Sequence, residues 1–434
     1  MESLSDYLSF GIHSSARVMH SSVVFLGQAA QILTKLATGK ANHKEIAITL
    51  RQAFESLGAT YIKLGQFIAS APSLFPEEYV EEMQKCLDSV RPVAYRDIRS
   101  IVERELGDKL GNLFHYFEEA PLASASIAQV HAAVTKEGLD VVVKVQRPDV
   151  HTTLKTDMQI LGLLTKILEW VAPEFKKSGL TGMFSEFQTS IMQEVDFIQE
   201  AKNIEEFETY LLSVNEERAR VPRVYHALSN KRVLTMERFH GVPITDEAGL
   251  RKYTNNPRKV LNDALEIWFS SLAAKGFFHA DVHAGNVMIL KDGQIGFIDF
   301  GIVGRISPNV WNGLMLFTQG IGMGEPSLVA QGLVAMDSTS EGVDPKVLAK
   351  QLENVFNEME TVYQAMALGE ASSFDESKLN RLMYDLKDVA EQNGLKIPRE
   401  FALLMKQMLY FDRYVKTMAP EINLFRDTKK FVNT

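Results

Sequence analysis

The sequence predicts an α+β fold: a helical N-terminal part, a strand-rich middle and a mostly helical C-terminal part. Three observations predict it. Apolar residues recur at the helical period between Ala47 and Leu110, the period falls to two between Phe117 and Val145, and a loop, a short hairpin and Asp299-Phe300-Gly301 follow a helix ending near Lys275. The chain has 434 residues, 46% hydrophobic and 23% charged, an ordinary globular balance that excludes disorder as its main theme. Its 46 Lys and Arg against 55 Asp and Glu give a net charge of -9, so whole-molecule electrostatics offer no case for nucleic acid. One cysteine, Cys86, allows no intrachain disulfide and no cysteine zinc site, which points to a reducing compartment.

The first zone, residues 1–46, carries no acid between Asp6 and Glu45, while Arg17, Lys35, Lys40 and Lys44 accompany Val23, Val24, Phe25, Leu26, Ile32 and Leu33. Such a helix either lies on an anionic bilayer or packs on the rest of the chain. No stretch reaches the roughly 18 to 20 uninterrupted apolar residues that a spanning helix needs. Acidic Glu2 and Asp6 stand where a secretory signal would be basic. The expectation is a cytoplasmic protein, at most peripheral on the inner face of a membrane, or an organelle-matrix protein in a eukaryote.

The second zone, residues 47–115, is a helical extension. Phe54, Leu57, Tyr61, Leu64 and Ile68 form one apolar stripe, and Lys63 and Gln66 form a narrow polar line on the other side. Gly65 sits mid-helix despite a cost of roughly 1 kcal/mol, so a close neighbour is expected there. A solvated lysine is the simple alternative for Lys63.

The third zone, residues 116–240, should hold strands near Phe117–Pro121, Gln129–Val134 and Leu139–Val145, with Lys136-Glu137-Gly138 turning the last pair. Val141, Val143 and Val145 share one strand face and Lys144 takes the other. The loop Ala123-Ser124-Ala125-Ser126-Ile127-Ala128 is built of small residues but contains no glycine. A single helix from about Phe184 to Tyr210 would place Asp196, Glu200 and Asn203 on one face, with Glu194 rotated about 200° away. Val233–Glu237 reads as a buried strand, and Glu237 and Phe239 as a hinge whose backbone would meet an adenine.

The fourth zone, residues 241–434, holds the strongest signal. His279, Asp281 and Asn286 form H-x-D-x-x-x-x-N, followed by a hairpin and then Asp299-Phe300-Gly301. Phosphoryl transfer needs a carboxylate for the nucleophile and hard oxygen ligands for Mg²⁺, and Asp281, Asn286 and Asp299 are of those types. Lys144 would contact the nucleotide phosphates, held by Glu200. His279 and His283 at i, i+4 would suit zinc on a helix, but a loop is expected here.

These motifs resemble the UbiB/AarF/ADCK atypical kinase-like family, over roughly Leu50 to Met323. Lys63-Leu64-Gly65-Gln66 is similar to its K-x-G-Q motif, Ala123 to His131 to its alanine-rich loop, Glu194-Val195-Asp196 to its E-x-D motif, Glu200 to its lysine-pairing glutamate, and HADVHAGN (His279 to Asn286) to its catalytic loop. That loop is more often HADPHPGN, so Val282 and Ala284 stand where the family usually has proline. The resemblance implies an atypical protein-kinase-like bilobal fold whose K-x-G-Q extension covers the active site, with Lys63 meeting Glu194. It implies ATP and Mg²⁺, slow ATP hydrolysis in preference to protein phosphorylation, and work on prenylquinone (ubiquinone-type) precursors, or with their biosynthetic enzymes, at a membrane surface. The alternatives are a nucleotide-binding scaffold and a small-molecule phosphotransferase. Only Ile302 to Asn309 separate Asp299-Phe300-Gly301 from the next predicted helix, too few for a peptide-binding activation segment. Some family members end in two spanning helices. Here Lys346 to Thr434 is amphipathic and charged, with Phe401, Leu404, Met405, Met408 and Leu409 at helical spacing.

Overall fold

The computed structural model describes residues 42–69, 77–86, 91–171, 180–282, 285–337 and 343–353, with single positions between 17 and 27 and between 355 and 411. It divides into two compact units. The first comprises Met1–Glu206, Val221–His240 and Ile298–Ile302, the second Phe207–Arg220, Gly241–Phe297 and Val303–Thr434.

The first unit begins with α1 (His43–Leu57), capped by Asn42, whose side chain accepts from Glu45 N, and ended by Gly58 at φ 88°. The apolar stripe expected to run along one helix is therefore divided between α1 and α2 (Ala59–Ala69). Gly58 takes a backbone conformation that side chains resist, so the chain turns there. Phe54, Leu57, Tyr61 and Ile68 nevertheless share one core with Met83 of α3 (Glu77–Met83) and with Cys86. The close neighbour of Gly65 is this layer: a Cβ there would lie 2.7 Å from Cys86 Sγ and 3.3 Å from Met83 Sδ.

After α4 (Tyr95–Leu106) and the short α5 (Leu110–Leu113) come β1 (Phe114–Ser124), β2 (Ala128–Thr135) and β3 (Asp140–Gln146). With β5 (Val233–Glu237) they make a sheet of order β1-β2-β3-β5, antiparallel throughout. Gly138 at φ 82° closes the β2–β3 turn. Val141, Val143 and Val145 pack on Ile98, Ile101 and Val102 of α4 and on Phe114 and Phe117. That leaves Lys144 on the opposite face. The strands run longer than expected: Ala123 and Ser124 pair with Val130 and Gln129, so the small-residue loop shrinks to Ala125–Ile127. Small unbranched residues fit a ladder as readily as a loop, and the ladder satisfies their backbone groups.

Next come α6 (Val150–Val171), α7 (Leu180–Glu194) and α8 (Phe197–Ser213). The single helix expected over Phe184–Tyr210 is thus broken at Val195 and Asp196. The Asp196 side chain accepts from Ile198 N at 3.2 Å and Gln199 N at 3.4 Å, and Val195 O accepts from Gln146 Nε2 at 2.7 Å. An aspartate that caps the following helix competes with continuation of the preceding one. Arg17, counted above among the cations of a surface helix, grips fully buried Asp157 through Nε at 2.7 Å and Nη2 at 2.6 Å and donates to Leu57 O at 2.7 Å. Its charge is spent inside the protein. The other cations of that first zone, apart from Lys44, lie outside the described residues.

The second unit contains a sheet of order β4-β9-β8-β6, from β4 (Ala219–Arg220), β6 (Gly241–Pro243), β8 (Val287–Leu290) and β9 (Ile295–Phe297). A second antiparallel pair joins β7 (Phe277–His279) to β10 (Val303–Arg305). After the single turn α9 (Glu247–Leu250), helix α10 (Pro257–Lys275) starts at an Asn256 cap and stops at Gly276, φ 61°. Helices α11 (Pro308–Met323) and α12 (Pro326–Met336) follow. Phe207, Trp268, Phe277, Phe278 and Phe297 form the aromatic centre. No described helix is long and apolar enough to cross a membrane. Of the predicted C-terminal stripe, Phe401, Leu404 and Met408 are buried, while Met405 and Leu409 lie outside the described residues.

Candidate active-site residues

In the first unit, Lys144 of β3 donates to both oxygens of Glu200, at 2.9 and 3.0 Å, and to Asp299 Oδ1 at 3.1 Å. The sheet alternation that buries Val143 and Val145 turns Lys144 to these acids. The Asp196 cap starts α8 one turn before Glu200 and so fixes its direction. Asp299 adopts φ 60°, a left-handed conformation that Asp tolerates better than most residues. Its side chain is 47% exposed, against 1% for Glu200 and 14% for Lys144. Lys63 Nζ lies 2.8 Å from Glu194 Oε2. A Cβ on Gly301 would sit 3.4 Å from Asp299 Oδ1 and 4.0 Å from Glu194 Cγ, so the two acids converge there.

Burial pushes the Glu200 carboxyl up to about 7, Lys144 pulls it down, and the negative charges of Asp299 and Glu194 add to the rise. For Lys144, burial pulls the ammonium down, but Asp299 and Glu200 more than reverse it and raise it above the usual lysine range. The lysine stays protonated, and its two short bonds to Glu200 are those of an ammonium on a carboxylate. With Glu200 turned to Lys144 and Glu194 to Lys63, Asp299 is the most accessible acid of the three, and Mg²⁺ commonly takes one or two carboxylates with the rest of its shell from phosphate and water.

The alanine-rich turn is held from outside. Arg147 donates to Ala125 O at 2.8 Å, Ser124 Oγ at 2.8 Å and Arg91 O at 2.9 Å, and Gln129 Oε1 accepts from Val93 N at 2.7 Å. Ser126 Oγ is buried and finds no hydrogen-bond partner among the described residues. A phosphate oxygen is the kind of acceptor that would satisfy it. Glu237 ends β5, and Phe239, half-buried, follows outside regular secondary structure. Gln66 is half-buried on α2.

In the second unit, His279 ends β7 fully buried, its carbonyl accepting from Trp268 Nε1 at 2.8 Å. Asp281 N donates to His279 Nδ1 at 3.2 Å, and Asn286 Nδ2 donates to Asp281 O at 2.9 Å. The amide nitrogen of Asn286 is thereby occupied, so its oxygen is the atom to offer a hard cation. The structure brings Lys63, Lys144, Glu194, Glu200 and Asp299 together in one unit, and Asp281 and Asn286 together in the other. His279 is on a strand and His283 lies outside the described residues. No group of three or more His, Cys, Asp or Glu among the described residues is placed to hold a metal ion.

Sequence reasoning assigned no role to three polar side chains. Asn203 Nδ2 donates to Phe300 O at 2.9 Å, a role signalled only by its place one turn after Glu200. Arg147 stands directly after β3 beside Pro148, where nothing periodic marks it. Gln407 bonds the backbone of Val282 from 125 residues away, beyond any local signal.

The ABC1 atypical kinase-like domain model matches residues 85–325. An uncharacterised aarF domain-containing protein kinase of Arabidopsis thaliana, described as chloroplastic, is 46% identical over 395 residues, 88% of this chain and 73% of its own. An uncharacterised Mycobacterium tuberculosis protein is 33% identical over 95% of this chain and 83% of its own. A probable protein kinase UbiB of Haemophilus ducreyi is 29% identical over 90% of this chain and 72% of its own.

Proposed function

The chain belongs to the ABC1 atypical kinase-like family, and on that premise we propose that it binds ATP with Mg²⁺ and hydrolyses it slowly, in the service of prenylquinone-type lipid intermediates at a membrane surface. The observation that carries this reading is the Lys144–Glu200–Asp299 cluster, with Lys144 fixed at 2.9 and 3.1 Å from two acids of different exposure. Glu200 is the buried anchor. It holds the ammonium in place, so that the charge is already oriented when phosphate arrives. The family resemblance gives Asp299, and separately Asn286, the part of a Mg²⁺ ligand, and the ion would neutralise phosphate charge when bound. Asp281 would orient the attacking water and accept its proton. The resemblance gives the Ala123–Ser126 segment the phosphate side, with the Ser126 hydroxyl the donor left to offer there, and the Glu237–Phe239 backbone the adenine.

The turn contains no glycine and is clamped by Arg147, which favours slow turnover over rapid transfer, since the loop cannot fold closely around the phosphates. Lys63 and Glu194 add a second ion pair beside Asp299, the regulatory position that the K-x-G-Q and E-x-D resemblance gives them. The lipid connection rests on the resemblance to UbiB-type proteins and on one surface. Helix α6 exposes Leu163, Ile167 and Trp170, the last 85% exposed, beside Lys155 and Lys166. Apolar and aromatic side chains with flanking lysines suit the interface of an anionic bilayer.

The test is ATP hydrolysis by the purified protein with Mg²⁺, with and without anionic vesicles, beside Asp299→Asn. Hydrolysis should rise with vesicles and fall to background in the variant. Bound but unhydrolysed ATP under both conditions would favour the scaffold, and the same hydrolysis in Asp299→Asn would remove the metal role.

A further inference from the structure

Gln407 is fully buried, and its amide is spent entirely on one residue of the loop after His279. Its Oε1 accepts from Val282 N at 2.8 Å and its Nε2 donates to Val282 O at 2.8 Å. That is the pairing a neighbouring strand would give, supplied here by one side chain. The Val282 side chain is also buried, lining a small apolar void with Leu261, Leu265, Val287 and Phe411. Consecutive backbone groups are therefore fixed from three directions: Asp281 N on His279 Nδ1, Val282 N and O on Gln407, and Asp281 O on the Asn286 amide.

We propose that Gln407 is a positioning residue for Asp281 and Asn286, setting the loop conformation through both backbone groups of Val282. A proline fixes φ covalently and has no N–H. Val282 leaves φ free and offers an N–H, and Gln407 uses that N–H to supply the missing constraint. What the loop does rests on the phosphoryl-transfer reading above. That Gln407 holds the loop rests on the hydrogen bonds alone.

Gln407→Met keeps length and apolar bulk while deleting both bonds. Two quantities are measured on the full chain: amide hydrogen exchange of the peptide spanning 277–290, and steady-state ATP hydrolysis. Exchange in the loop should quicken at least about tenfold, and kcat should fall by a factor on the order of ten, with KM for ATP within about twofold and cooperative melting retained. Adding Val282→Pro to that variant should return most of kcat and slow the exchange. Unchanged exchange and kcat in Gln407→Met would overturn the proposal, as would joint loss of kcat, KM and melting without rescue. Should Gln407→Met fail to fold, the double variant decides: folded and active supports the proposal, unfolded or inactive overturns it. If the native protein does not hydrolyse ATP, the phosphoryl-transfer reading falls, and the exchange measurement still decides what Gln407 does.

Discussion

At Glu200 burial and charge oppose each other, and the outcome is measurable through pH. The carboxyl is pushed up to about 7 from 4.5, burial being the largest cause. A folded-state value above the unfolded one means that the native protein holds the proton more tightly. The stability this gives is fully present below 4.5 and is lost as pH rises through 7. Wild-type stability relative to Glu200→Gln, measured by urea unfolding at intervals from pH 4.5 to 8, should therefore decline across that range. A flat difference would show that Lys144 cancels the burial cost. The same residues show what a sequence can reveal. The placement of Lys144 was legible because strand alternation is a local rule, and the parts proposed for Asp281, Asn286 and Asp299 rest on spacing, which is local too. Arg147 and Gln407 were not, since each acts on backbone groups of residues that only the fold brings near.

Helix α2 owes its seat to a missing side chain. Gly65 lets Met83 and Cys86 approach its backbone, and a Cβ would meet Cys86 Sγ at 2.7 Å. Gly65→Ala gains about 1 kcal/mol of helix propensity but overpacks this contact, a penalty typically of about 1 to 3 kcal/mol. Net destabilisation in chemical denaturation is expected, partly relieved by Cys86→Ala. A variant more stable than wild type would show that α2 shifts freely. Burial also raises the Cys86 thiol to about 11, in keeping with a packing role and not a reactive one. The breaks at Gly58 and Asp196 are the elements that periodicity misjudged. An apolar stripe continues across a turn when both helices share one core, and Asp196 follows Glu194 in a register that a continuous helix would also permit.

Over the whole molecule, the zones read from sequence follow the motifs, whereas contacts group residues in two units. Ile298–Ile302 clusters with the first unit although β9 before it and β10 after it belong to the second. No pattern in the sequence announces that interleaving, because it is set by Lys144 and Asn203, which bond Asp299 and Phe300. A ligand bound only by the folded chain stabilises it by mass action. MgATP at 100 times its Kd should add about 2.7 kcal/mol to the unfolding free energy. Denaturant titration should find that gain in the native protein and lose its Mg²⁺-dependent part in Asp299→Asn. Equal gains in both would place the cation elsewhere.

The left-handed backbone at Asp299 narrows what this position can become over evolutionary time. Asn and Gly enter that region at little cost, whereas β-branched residues cannot. A lineage leaving this carboxylate behind thus has two exits that the backbone at φ 60° tolerates. Under the metal role proposed for Asp299, turnover would be discarded there by one substitution, so in related chains the identity of this residue should separate turnover from mere nucleotide retention more sharply than overall similarity does.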